Sequence, residues 1–455
     1  MKELIKYIVI FFITLIILSG LLVITAKIPR EFISNNIKES TSEFHTSSEI
    51  DKVVIKRDYT YRHIYADAML LNIIYCIDSS KPVQSVMESK YYSELKEKIN
   101  SKYENEVVNK SISYDFNELV DGEHEGNQQY IRYWHGSMSI IRPLLVFLNL
   151  KQIYILNFII ISILTIILLI MLIRTKIKEL VIAFVISLIM CFVIIVPFCL
   201  EYTWTYMIML VASIIALILE KKRKKLNILF FITGIITCYL DFLSTELLTF
   251  MIPILLILVI RYRQNRLTNF KDGLKFIVIS SVLWGIGYVG IWFAKWILAS
   301  IILKINAFDY VIDNAIERIN GGNNAIVKID NMYINAIVDN LLTLFPINIQ
   351  KRVERLYFIP IVIIIFVLIF IKKKNWRELW FPALLIIIAL IPYIRYLILA
   401  DHSYRHYFFT FRLQMISIIA LILAVVYSID RNIANYKIDL NVLKKKNEKK
   451  EYIKK

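Results

Sequence analysis

Apolar runs of about 20 residues recur along this chain, separated by short polar stretches. That length crosses a ~30 Å hydrocarbon core as an α-helix. Cut at the polar interruptions, the sequence gives ten spans, roughly 5–26, 152–173, 179–200, 203–220, 226–242, 244–261, 274–299, 357–371, 378–399 and 408–429. The expected fold is an all-α polytopic membrane protein. Two long polar intervals divide it: a signal-anchor helix (1–26), a loop subdomain (27–151), helices two to seven (152–299), a second loop (300–356), helices eight to ten (357–429) and a basic tail (430–455).

Helical periodicity continues in the polar intervals. "YADAMLLNIIYCI" (65–77) places Ala68, Leu71, Ile74 and Tyr75 on one face, and "SELKEKINSKYENEVVNK" reads as a polar helix with acid–base pairs at helical spacing. "DGEHEGNQQ" reads as a loop. The run "YIRYWHGSMSIIRPLLVFLNL" (130–150) is apolar but broken by Pro143, which predicts an interfacial helix with Tyr133 and Trp134 anchored among lipid headgroups. "INAFDYVIDNAIERI" predicts a second surface helix, closed by the turn "NGGNN". The first apolar run follows Lys2 and Lys6 and lacks a small-x-small cleavage site, which predicts a retained anchor.

Composition agrees with the pattern. The chain has 455 residues, 58% of them hydrophobic and 13% aromatic, which excludes an ordinary soluble protein. A net charge of +17 would suit a nucleic-acid surface, but the bases cluster between spans: Arg174, Lys176 and Lys178; "KKRKK" at 221–225; Arg261, Arg263 and Arg266; "KKKNWR" at 372–377; and the tail. Interval 27–151 is near neutral. This is the positive-inside distribution, so both termini are expected in the cytoplasm, with membrane lipids rather than nucleic acid as partners. The four cysteines suggest no disulfide framework. No Walker A, GxGxxG, HExxH or CxxC motif occurs, which argues against ATP- or dinucleotide-dependent chemistry.

The candidate chemistry lies at the expected outer ends of the helices. Asp58 and Asp67, in "KRDYTYRHIYADAMLLN", are placed to act as a general base or metal ligand; Asp67 equally fits the first turn of a helix. His135 and Arg142 lie in "RYWHGSMSIIRP". Lys295, Arg395 and Arg412 are cations inside apolar helices, where a charge is costly and marks a candidate site, unless it snorkels. Asp241 and Glu246 bracket a tight turn and are the acids available to pair with them. "DHSYRHYFFTFR" (401–412) adds His402, Arg405 and His406; the two histidines, four apart, make a divalent-metal site geometrically open, with any third ligand from another segment.

One helix, a large loop with an early aspartate in "RDYTYRHIYADAMLLN", and then a helix bundle resembles the GT-C class of membrane glycosyltransferases. The segments "YWHG…RPLL" and "HSYRHYFFTFR" are also similar to uncharacterised polytopic proteins of low-GC Gram-positive bacteria linked with surface polysaccharide. The resemblance implies transfer of a sugar from a polyprenyl-phosphate-linked donor to a glycan acceptor at the outer face. It makes Asp58 or Asp67 the catalytic acid. Lys295, Arg395, Arg405 and Arg412 would hold the phosphate, and His135 and His402 would orient the ligand. A polymerase or ligase of lipid-linked glycans, a flippase, and a non-enzymatic assembly protein are the competing expectations.

Overall fold

A helix of 25 residues, α1 (Lys2–Ala26), opens the fold. Isoleucines and phenylalanines cover it on nearly every side and stay exposed, among them Ile8, Phe12, Ile16 and Ile24, as a helix solvated by lipid requires. The computed structural model describes residues 2–44, 50–52, 61–94, 112–122, 124–241, 243–320, 331–344 and 379–429.

After α1 come α2 (Glu31–Ser40), a ribbon of β1 (Ile50–Lys52) and β2 (Tyr61–His63) paired antiparallel with Asp51 opposite Arg62, α3 (Ile64–Tyr75), α4 (Pro82–Glu88), α5 (Ile112–Asp121) and α6 (Met138–Leu144). The bundle follows: α7 (Leu150–Arg174), α8 (Lys178–Met190), a 3-10 turn over Val193–Phe198, α9 (Leu200–Lys221), α10 (Asn227–Leu240), α11 (Leu248–Arg263) and α12 (Phe270–Leu303). Next are α13 (Ala307–Asn320), α14 (Met332–Leu344) and α15 (Trp380–Ile398). Last come α16 (Ala400–Arg405), α17 (Tyr407–Thr410), a 3-10 turn over Phe411–Gln414 and α18 (Met415–Ile429).

Among the described residues, six helical stretches are long and apolar enough to cross a membrane: α1, α7, α9, α12, α15 and the stretch Tyr407–Ser428. They match six of the ten expected spans. Spans 179–200, 226–242 and 244–261 contain the shorter helices α8, α10 and α11, of 13, 14 and 16 residues. Span 357–371 lies outside the described residues. The local chemistry explains why α8 stops early. Phe192 is left-handed, with φ 49°, and Pro197 follows in the 3-10 turn without an N–H to continue a helix.

The loop subdomain packs onto the bundle. α3 is buried nearly all round: Leu70, Leu71, Ile73 and Ile74 are all inside, so its 65–77 pattern belongs to a core helix rather than an amphipathic one. Asn72 makes it a pseudo-strand partner, accepting from Tyr92 N at 2.8 Å and donating to Tyr92 O at 3.0 Å. The polar helix read at "SELKEKINSKYENEVVNK" and the turn "NGGNN" fall almost wholly outside the described residues. The amphipathic reading of 305–319 agrees with α13, where Ile312, Ile316 and Ile319 form an exposed stripe.

The interfacial helix expected over 130–150 is not formed. Only Met138–Leu144 is helical, and the anchors Tyr133 and Trp134 are buried. Trp134 Nε1 donates to Ile291 O of α12 at 2.7 Å, and Gly136 N donates to Tyr239 O of α10 at 2.9 Å. The segment inserts into the bundle because Gly136 lets it: a Cβ there would stand 2.4 Å from Tyr239.

Helices α10 and α12 make the closest contact. A Cβ on Gly234 would lie 2.0 Å from Trp284 O, and one on Gly287 would lie 2.3 Å from Phe231 O. Small residues on both helices let the backbones touch, the usual source of packing energy where lipid supplies no hydrophobic drive. At one end of the bundle, Arg261 donates to Glu220 Oε2 at 2.7 Å, Arg266 also pairs with Glu220, and Tyr427 donates to Glu179 Oε1 at 2.8 Å. The basic cluster Arg261, Arg263 and Arg266 is thus tied directly to bundle acids, Arg263 reaching Glu179 at 3.5 Å.

Gly234→Leu is expected to force α10 and α12 apart, at a cost of about 1–3 kcal/mol or more. A thermal melt of the purified protein in detergent checks this. Gly285→Leu, at an open position on α12, should melt like the wild type.

Candidate functional site

The stretch 400–414 folds as three short helical pieces instead of one regular helix, and polar side chains hold each piece. Arg395, in the last turn of α15, is buried among them. Its Nε donates to Glu246 Oε1 at 3.0 Å, Nη1 to Ser403 Oγ at 2.9 Å and Nη2 to Leu243 O at 2.8 Å. Asp241, at the end of α10, accepts from the backbone N and hydroxyl of Ser244, closing the turn before α11. Arg405 pairs one turn back with Asp401 at 2.8 Å. Of the two acids offered as partners for the buried cations, Glu246 forms an ion pair with Arg395, whereas Asp241 is taken up by Ser244.

His402 and His406 lie side by side, their ring centroids 4.7 Å apart. His402 Nδ1 is 3.3 Å from the Arg395 guanidinium, a poor setting for a second cation. Among the described residues no group of three His, Cys, Asp or Glu side chains could hold a metal. Asn340 of α14 is a residue that sequence reasoning missed. It donates to Ser403 O at 2.9 Å, accepts from Thr410 Oγ1 at 2.7 Å, and its backbone carbonyl accepts from Gln414 at 2.6 Å.

Arg412 is different. It is fully buried, and its recorded bond runs from Nη1 to Phe408 O at 3.2 Å. Its guanidinium lies 4.6 Å from the centre of the Tyr202 ring and 4.8 Å from that of Phe411. Among the described residues Nε and Nη2 have no hydrogen-bond partner, and neither do the buried hydroxyls of Tyr202 and Tyr206. The two tyrosines are four apart on α9 and so share a face. No acid pairs with Arg412 among the described residues. Cys191 at the end of α8 touches this place, its Sγ 3.8 Å from Arg412 O. The next two residues, Phe192 and Val193, line an apolar groove of about 570 Å³ between α7 and α8, with Phe158, Ile161, Leu188 and Pro197. A single turn, 191–193, thus touches the Arg412 backbone on one side and lines the groove on the other.

The remaining sequence-derived candidates stand apart and serve the backbone. Asp67 is buried under the start of α9: Leu200 N donates to it at 2.9 Å and Tyr154 OH at 2.6 Å. Arg142 donates to Ile74 O at the end of α3 and, at 2.6 Å, to Ile28 O just past α1. Burial, followed by the neighbouring Arg30, brings it down to about 10, still charged at neutral pH. Lys295 reaches from α12 to the carbonyls of Val86 and Met87 in the last turn of α4, at 2.9 and 3.1 Å. A cation at a helix C-terminus is favoured by the dipole, and this use replaces the phosphate contact expected of Lys295. His135 is left-handed, with φ 51°, and its Nε2 donates to Tyr130 O at 3.0 Å. Burial, then the Lys295 charge, lowers it to about 3. Asp58 lies outside the described residues.

No family model, curated protein or solved structure matches this chain.

Glu246→Ala leaves Arg395 buried beside an empty place and is expected to cost about 3–5 kcal/mol, while the double variant Arg395→Met/Glu246→Leu should lose less. Thermal melts of the three proteins in detergent decide it. His135 sets a pH dependence as well. Its folded pKa lies below the unfolded value near 6.5, so its contribution is complete above pH ~6.5 and is lost as pH falls toward 3. His135→Asn, which tolerates the left-handed backbone, should flatten the fall in melting temperature between pH 7 and pH 4.5.

Proposed function

We propose that this chain is an integral-membrane glycosyltransferase of surface-glycan assembly. It takes a sugar from a polyprenyl-phosphate-linked donor at the outer face, and its ten crossings leave both termini in the cytoplasm. The observation that carries this reading is the buried Arg412 guanidinium, with two unpartnered nitrogens beside two unpartnered tyrosine hydroxyls. An arginine stays charged at any physiological pH, and burying it without a counter-charge costs several kcal/mol. An anionic ligand removes that cost. Every free group at the site is a donor, which suits phosphate oxygens.

The charge count narrows the donor. Arg395 is neutralised by Glu246 and Arg405 by Asp401, and Lys295 is held away at the carbonyls of Val86 and Met87, so Arg412 brings a single positive charge to this site. A sugar–phosphate–polyprenyl diester carries one negative charge; a diphosphate carries two. The adjoining groove is apolar, as an isoprenoid chain requires.

In this scheme the acceptor hydroxyl attacks the anomeric carbon as the C1–O bond to phosphate breaks. The hydroxyl proton passes to a carboxylate, and the electron pair leaves with the polyprenyl phosphate. The phosphate gains negative charge in that step, where Arg412, Tyr202 and Tyr206 stabilise it most. Asp67 is already held as the helix cap of α9, so the base falls to Asp58.

The test is transfer of labelled sugar from a polyprenyl-phosphate donor by protein reconstituted in nanodiscs. Arg412→Gln is expected to cut turnover about 10²–10³-fold, and Asp58→Asn about 10²–10⁴-fold. Tyr202→Phe/Tyr206→Phe should lower it less while keeping the fold. Wild-type turnover in a folded Arg412→Gln protein would sink the proposal.

A further inference from the structure

The loop subdomain contains a cleft of about 490 Å³ that none of the chemistry above uses. It opens where the chain leaves α1: Arg30 and Glu31 form one wall, the end of α3 and the start of α4 a second, and Lys90 with Glu125 and Gly126 a third. Its volume falls in the range of small-ligand sites, roughly 300–1,000 Å³. Its lining does not resemble the usual apolar one. Ile77 and Cys76 are the less polar members, and the remainder is charged, hydroxyl or amide, apart from Gly126.

The walls are firmly built. Tyr91 N donates to Gln128 O at 3.0 Å, tying the third wall to itself across the mouth. Gly126 brings that backbone against its neighbours: a Cβ there would stand 2.8 Å from Lys90 Cβ and 3.2 Å from Cys76. Arg30 is held over the Tyr75 ring at 4.8 Å. Asp78 is fixed by Ser80, N to Oδ1 at 2.8 Å, and the Asp78 backbone N is bound by Ser85 Oγ at 3.2 Å.

The charge pattern selects the ligand. Three bases (Arg30, Lys81, Lys90) face four acids (Glu31, Asp78, Glu88, Glu125), and some already pair inside the cleft. Glu88 binds Lys90 at 3.2 Å and accepts from Gln84 at 3.1 Å. A phosphate or other compact anion gains little from such walls, and a greasy ligand finds no floor. A neutral, hydroxyl-rich molecule instead exchanges wall-bound water for equivalent hydrogen bonds to donors and acceptors on three sides. We infer that this cleft is a binding site for a neutral saccharide, the chemistry expected of a glycan acceptor lying along the membrane surface. It is separate from Arg412 and shares no residue with that site. The assignment of the saccharide as acceptor rests on the glycosyltransferase reading, whereas the binding itself does not.

The experiment is calorimetric titration of the full-length protein in nanodiscs with three probes: an N-acetylglucosamine tetrasaccharide, maltotetraose and inorganic phosphate. Saturable binding of at least one of the two saccharides is expected. Gln84→Trp, which fills the cleft from its exposed edge, should weaken binding at least tenfold. Lys81→Ala and Glu125→Ala, both at exposed positions, should weaken it several-fold, and they decide the matter if the tryptophan variant melts early. Arg412→Gln should bind the saccharide as the wild type does, so loss of the donor site and loss of this one read out separately. The inference is overturned if neither saccharide binds, if phosphate alone binds, or if folded cleft variants keep wild-type affinity.

Discussion

A helix that ends inside a fold leaves carbonyls at one end and N–H groups at the other without intrahelical partners. In an apolar surround, water is not there to take them up. This chain ends many helices inside, and charged side chains from distant segments close them. Lys295 caps α4, Arg142 caps α3 and the exit from α1, Arg395 takes Leu243 O before α11, and Asp67 takes the first N–H of α9. Each of these contacts also links two segments far apart in sequence. The loop subdomain is fastened to the bundle by this chemistry as much as by its apolar core.

That constraint accounts for which residues were legible. A lysine or arginine inside an apolar run announces that it is buried and paired, and Lys295, Arg395 and Arg412 are all buried. It does not announce its partner when the partner is a carbonyl, because every residue has one and the sequence carries no mark of it. Lys295 and Arg142 therefore read as ligand contacts when they are backbone caps. Glu246 and Arg395 were matched because both members of that pair are side chains. Tyr202 and Tyr206 were overlooked; two tyrosines four apart in an otherwise apolar helix are the signal that could have singled them out.

The long helices follow from apolar length, and their positions agree with the pattern within a few residues. The short ones do not, because α8 ends at a left-handed phenylalanine that no propensity foretells. The buried segment around Trp134 escaped for a related reason. Its apolar residues suit a membrane interface as well as a protein interior, and the close approach at Gly136 decides between them. Against this background Arg412 stands out by contrast. The other buried cations, Lys295, Arg142 and Arg395, have been given carbonyls or carboxylates, and it has been given aromatic rings and one weak carbonyl contact.

The contact of Gly234 and Gly287 with facing backbone carries a mechanical consequence. Helices that touch main chain to main chain cannot slide by a residue without driving a side chain into a carbonyl. Helices α10 and α12 therefore behave as a single plate, and Trp134, hydrogen-bonded to Ile291 O, rides on it. Whatever opening admits a bulky molecule between helices has to occur elsewhere.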